Sequence, residues 1–335
     1  MHTIPISPKK EGIQRYLSMK LDNDPEPGAM DDNLRKDILK MIPETISEIF
    51  LLVSLSIESV LEEVTIARRR KKLKEVTKGQ GVDDLYTTTL ERIRVQKGGK
   101  AKLGMEVLRW IYHSERPLRP EELCHVLAID YGTSELDRDN IPSIRTLLSS
   151  SLGLATVDSS SSTVRLVHFT LQEYLLAHPL LFHSTHIMIA EVCLTYLNFQ
   201  EVRNLSPTLE SAPSSTPFLQ YASCYWGAHA RKETSERMIL LATRLLADYD
   251  SHISSKLLLL NAKSSPRIPY DKKCSLTGFT GLHAAAFLGI DKIMVDLLSI
   301  REWDLNACDI EGDTALAWAA IIGSVPKRPV RPSFA

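Results

Sequence analysis

Two short segments of the chain repeat one pattern. "TGLHAAAFLG" covers residues 280–289 and "DTALAWAAIIG" covers 313–323. Leu282 aligns with Leu316 and Gly289 with Gly323, both at an offset of 34 residues. A fixed period of this size constrains the fold more than any bulk property. It implies stacked supersecondary units, each too small to bury its apolar face alone. Thr280 and Thr314 stand where a side-chain oxygen caps a helix start. Gly289 and Gly323 stand where a helix ends in the left-handed conformation. Ala284, Ala285, Ala286, Ala319 and Ala320 are small enough for neighbouring helices to approach closely.

The first segment resembles the ankyrin pattern T-P-L-H-x-A-A, with Gly281 in the proline's place. "GDTALAWAA" resembles it more loosely, because Trp318 follows Ala317 where the histidine would sit. Thr280, Leu282, His283, Ala285, Gly289, Gly312, Thr314, Leu316 and Gly323 carry the likeness. The stretch between looks like the family's second helix followed by its long loop and turn. The resemblance implies that His283 hydrogen-bonds across the turn between repeats and does no catalysis. It also implies that the inter-repeat loop meets a protein partner, so Arg301, Trp303, Asp304, Asp309, Glu311 and Asp313 are candidate contacts. A stable stack usually needs at least three repeats. Two must lean on the helical region before them or begin a longer array.

Upstream, apolar spacing predicts helices throughout. Residues 33–62 read as helix, broken near Pro43. Asp83 begins another, with Tyr86, Leu90 and Ile93 on one face. Between residues 102 and 182 come three helical stripes, then two β-prone runs, Leu154–Val157 and Thr163–Phe169, around a serine turn. Helix, helix, helix, hairpin is the order of a winged helix. Residues 186–262 carry four more apolar helical stripes.

"RPLRPEELCHVLAI", "SELDRDNIPSI" and "VRLVHFTLQEYL" resemble the winged-helix segment of fungal NACHT–ankyrin proteins, a segment similar to the GPI inositol-deacylase winged helix. "IQRYLSMKL" and "IFLLVSLSIESVL" resemble the stretch that closes the NACHT ATPase module, and "FLQYASCYWGAHAR" resembles the linker into the ankyrin array. In that family the NACHT module binds ATP or GTP, the repeats sense a partner and an N-terminal domain acts as effector. This chain departs at the decisive point. A phosphate loop needs G-x-x-x-x-G-K-[ST] to present backbone N–H groups, a lysine and a magnesium-binding hydroxyl. The Gly-Lys of "GGK", residues 98–100, is followed by Ala101 and lacks the earlier glycine.

Other chemistry is weak. A net charge of −1 favours neither nucleic acid nor an anionic membrane. The expected DNA-reading helix, residues 141–152, holds only Arg145, and residues 115–143 carry seven acids against three bases. Such a surface repels phosphate. Residues 66–102 differ, with twelve Lys or Arg against four acids. There Arg68, Arg69, Arg70, Lys71, Lys72 and Lys74 resemble a nuclear localisation signal, or else form a solvated helix face. Five cysteines, an odd number without a CxxC pair, suit a reducing compartment. Cys224, His229, His183 and His186 lack metal-finger spacing. No G-x-S-x-G is present, and His168 reads as a buried, bonded histidine. No apolar run approaches the roughly 20 residues that span a bilayer.

The expectation is therefore a mainly α, modular, intracellular and cytoplasmic protein. Residues 1–98 form a helical remnant of a NACHT module, 99–182 a winged helix of three helices plus a β-hairpin, and 183–275 a helical linker. Residues 276–324 form a short ankyrin-repeat array, and 325–335 a disordered tail. No enzyme activity, cofactor, metal, small-molecule substrate, nucleic acid or membrane is expected. The function expected is a protein-interaction or scaffold module. A degenerate or truncated gene product is one alternative, and a nuclear adaptor using residues 68–74 another.

Overall fold

The computed structural model describes residues 10–45, 50–78, 82–130, 132–209, 211–263 and 278–323. The expected tail at 325–335 and Cys274 lie outside the described residues. The fold is mainly α, with seventeen α-helices and one two-stranded sheet among the described residues. Its packing divides into two compact units.

Unit 1 comprises residues 1–108, 148–156 and 166–181. It opens with α1 (Lys10–Asp22), α2 (Asp32–Thr45), α3 (Phe50–Leu61), α4 (Ile66–Thr77) and α5 (Val82–Arg94). Ile13, Leu17 and Leu21 recur every four residues along α1, and Leu34, Ile38 and Ile42 do so along α2. Both stripes meet Val53, Ile57 and Val60 of α3 in one buried cluster. Pro43 lies inside α2, where it removes one backbone bond to the carbonyl four residues earlier, and the helix runs past it to Thr45, the last described residue of that segment.

Next along the chain come α6 (Lys100–His113), α7 (Pro120–Val126), which falls in unit 2, and α8 (Ile144–Ser150). β1 (Ala155–Asp158) and β2 (Thr163–Leu166) follow as the expected hairpin, and α9 (Phe169–Ala177) succeeds it. Gly104 is required on α6, because a Cβ there would lie 2.3 Å from the Ser150 carbonyl oxygen. His168 caps α9: its Nδ1 accepts the Thr170 N–H at 3.3 Å. Tyr86 and Thr87 of α5 bond to Thr170 and Tyr174 of α9 at 2.7 and 2.8 Å.

Unit 2 comprises residues 109–147, 157–165 and 182–335. Leu118 makes an isolated antiparallel bridge to Val164 of β2. Beyond lie α10 (Thr185–Leu197), α11 (Gln200–Arg203), α12 (Leu219–Ala230), α13 (Glu236–Leu246) and α14 (Ile253–Lys263). Then come α15 (Gly281–Leu288), α16 (Asp291–Ser299) and α17 (Ala315–Gly323). Helix α10 packs on α12 and α13, α12 on α14, and α13 carries α15 and α16. One correction concerns the membrane criterion: residues 179–197 are long and apolar enough to span a bilayer by length and composition. More than half of that stretch is buried inside the protein, where α10 packs against its neighbours.

Candidate interaction surface

The paired segments form a repeat-like helical stack. Helix α17 packs chiefly on α15, so the first helices of the two units lie side by side, while α16 turns back against α15. Thr280 caps α15, and His283 belongs to that cap. The His283 Nδ1 accepts from the Thr280 N–H at 3.2 Å and from its hydroxyl at 2.8 Å. The Nε2–H then donates to the Asp313 carbonyl at 3.2 Å. Both ring nitrogens are engaged, and burial holds the imidazole below its ordinary range. His283 is thus a neutral cross-link between the two paired segments. Gly289 ends α15 at φ 63°, where any side chain would be strained. Gly281 has a different reason: a Cβ there would come within 2.0 Å of the Leu246 carbonyl oxygen on α13.

The inter-repeat loop is pinned from inside by Asp309. Its carboxylate accepts the N–H groups of Glu311 and Asp313 at 3.0 and 2.9 Å. It also accepts the Trp318 indole N–H at 2.9 Å. Asp309 is buried, so among the candidate contacts it holds the loop and does not face solvent. Asp313 is half-buried and binds His283 and Asp309 through its backbone. Arg301, Asp304 and Glu311 are exposed, and Trp303 is half-buried. The Trp303 indole N–H donates to the Leu297 carbonyl at 2.8 Å, and the Arg301 guanidinium stacks 3.7 Å from its ring centroid. These two residues, with Leu298, Ser299, Glu302 and Leu305, line an open cleft of about 660 Å³.

The two repeats are not equivalent. Leu282 is 3% exposed, whereas Leu316 is 78% exposed. Ala284, Ala285 and Ala286 are buried as expected, but Ala319 and Ala320 face solvent. Thr314 still caps its helix, accepting the Ala317 N–H at 3.2 Å. Val295, Leu305 and Ile310 are also exposed, so α16, the loop and α17 present apolar side chains outward. Sequence pattern alone does not separate the inward Leu282 from the outward Leu316.

The basic run lies on α4 and is not a free cationic stretch. Arg69 is wholly buried, pairing with both oxygens of Asp24 at 2.5 and 3.1 Å. It also donates to the carbonyls of Leu61 and Glu63. Arg70 pairs with Asp31, and Lys71 and Lys72 lie near Glu75. Arg68 and Lys74 are exposed.

Sequence spacing missed a histidine cluster in unit 2. His186 and His229, dismissed as metal ligands, meet at 2.8 Å between their Nδ1 atoms. The His113 ring lies edge-on to His186, with centroids 5.5 Å apart. Tyr221 accepts the Glu115 N–H at 3.0 Å and lies 3.1 Å from His229 Nε2. A hydroxyl donating to Nε2 leaves the His229 proton on Nδ1, facing His186. Burial, with His186 and Lys232 adding like charge, pushes His229 down to about 3. Cys224 does not join the cluster: its thiol donates to the Leu257 carbonyl, and burial pushes it up to about 12. No group of three or more potential metal ligands occurs among the described residues.

Residues 90–184 match the family model of the GPI inositol-deacylase winged helix domain. The match starts on α5 and ends just after α9, taking in the expected three helices and hairpin. No curated protein and no solved structure matches the chain.

Proposed function

We propose that this chain works by contact and not by turnover, as a protein-interaction module of a fungal NACHT–ankyrin type receptor lacking the nucleotide-binding loop. The winged-helix match supports the receptor reading, because such a domain precedes the repeats in the family that the chain resembles. The observation that carries the interaction reading is the outward apolar set of the last helices. Val295, Leu305, Ile310 and Leu316 are each more than half exposed over a stretch of 22 residues. Exposed apolar groups close together along α16, the loop and α17 suit a surface that another protein covers. The rigid scaffold beneath them, pinned by His283 and Asp309, gives a partner a fixed shape to meet.

The test is quantitative affinity capture with the parent chain and with a Leu305→Glu, Leu316→Glu double variant. Neither side chain is buried, so the melting curve of the variant should match the parent. Proteins enriched by the parent should be lost from the variant. The same set recovered at equal amounts by both would refute the reading.

A further inference from the structure

Unit 2 also contains a cleft of about 1110 Å³ that the repeats do not form. Its walls come from the start of α7, the serine turn of the hairpin, the loop at 211–217 and the outer faces of α12 and α14. Three arginines and three acids line it: Arg116, Arg119, Arg165, Glu121, Glu122 and Asp158.

Their hydrogen bonds show which remain available. Glu122 accepts from both Arg116 terminal nitrogens at 2.7 and 2.6 Å and from the Arg119 N–H at 2.7 Å. Asp158 accepts from the Ser160 N–H and hydroxyl, the Ser161 hydroxyl and Arg165. Two acids and two guanidinium groups therefore satisfy one another. The Arg119 guanidinium makes no ion pair among the described residues, although its backbone serves Glu122. Gln220, whose Nε2 also donates to the Cys224 thiol at 3.4 Å, and Asn261 add amides, which both donate and accept, as a peptide backbone does. Tyr225 adds an aromatic wall, with the Arg116 guanidinium 5.9 Å from its ring centroid.

We propose that this cleft holds an extended peptide segment whose single carboxylate pairs with Arg119 while its main chain bonds to Gln220 and Asn261. The volume exceeds the roughly 300–1,000 Å³ usual for small-molecule sites. The formal charge of the lining is balanced, and Glu121 lines the cleft two residues on from Arg119. One negative charge is therefore accommodated, and a dianionic phosphate meets repulsion.

The test uses the full chain, immobilised, and degenerate nonapeptide libraries fixed only at the centre as Glu, Gln or phosphoserine. The Glu library should be retained roughly two- to fivefold over the Gln library, the effect of one exposed ion pair. Arg119→Gln should abolish that preference without changing the melting curve, because the Arg119 side chain is exposed. Ser214→Trp, which narrows the cleft, should lower retention of both libraries. Equal retention of Glu and Gln libraries by the parent overturns the proposal. So does stronger retention of phosphoserine, a preference that survives Arg119→Gln, or indifference to Ser214→Trp.

Discussion

Acidification should destabilise unit 2 through two buried imidazoles, and the size of the effect follows from their surroundings. His229 is fully buried between Tyr221 and His186. His252 is nearly so: its Nε2–H donates to the Leu197 carbonyl at 3.0 Å, and its Nδ1 accepts the Ser254 N–H at 3.1 Å. Burial, the larger cause in both, lowers His229 to about 3 and His252 to about 4, from an ordinary value of 6.5. Because the folded values are depressed, the stabilisation is present above pH 6.5 and is lost as pH falls towards the folded values. At pH 5 the unfolded chain binds nearly one extra proton at each ring, which removes about 2 kcal/mol per ring and about 4 kcal/mol together. His186 is lowered too, but it is only half-buried, and solvent screens its contribution. A loss of that size matters to a domain stabilised by roughly 5–15 kcal/mol. All four tryptophans, Trp110, Trp226, Trp303 and Trp318, lie in unit 2, so their fluorescence during urea unfolding reports this unit. Other groups also titrate, so the decisive quantity is the difference between parent and a His229→Gln, His252→Gln variant. The variant should be less stable at pH 8, and its decline to pH 5 should be smaller by about 4 kcal/mol. Equal declines in the two proteins would refute the reasoning.

Two further substitutions test the packing within each unit. Asp24→Ala leaves the Arg69 charge buried without its partner and should cost unit 1 roughly 3–5 kcal/mol. Hydrogen exchange of α1–α4 amides reads this, and Arg69→Leu with Asp24→Leu should recover much of the loss. Unchanged protection in the single variant would show that Asp24 does not compensate Arg69. Asp309→Ala strips the Trp318 indole N–H and two loop N–H groups of their acceptor and should cost about 2 kcal/mol. The transition followed by tryptophan fluorescence should shift accordingly, and an unmoved midpoint would contradict the role given to Asp309.

Features fixed by neighbouring residues were readable from the sequence. The Thr280 cap, the left-handed Gly289 and the serine-turn hairpin each depend on a few adjacent positions. The structural role of His283 followed from the resemblance of its segment to an ankyrin turn. What escaped depends on long-range placement. Arg69 looks like any cation in a basic run, and only Asp24, 45 residues earlier, makes its burial affordable. Asp309 looks like a solvent-facing loop acid until three N–H groups converge on it. His186 and His229 are 43 residues apart, and no local period brings them together. The cleft around Arg119 is likewise assembled from four separate chain segments. Ala319 and Ala320 repeat the small-residue pattern of Ala284–Ala286, yet that pattern does not say whether a further helix covers them.

The central proposal is that this chain acts by contact with other proteins and does not bind a nucleoside triphosphate. Its most direct test is equilibrium titration of the full chain with magnesium ATP and magnesium GTP, joined to a turnover assay on the same sample. The account predicts no saturable binding and no protein-dependent release of phosphate. Stoichiometric binding, or turnover that scales with protein, would contradict it.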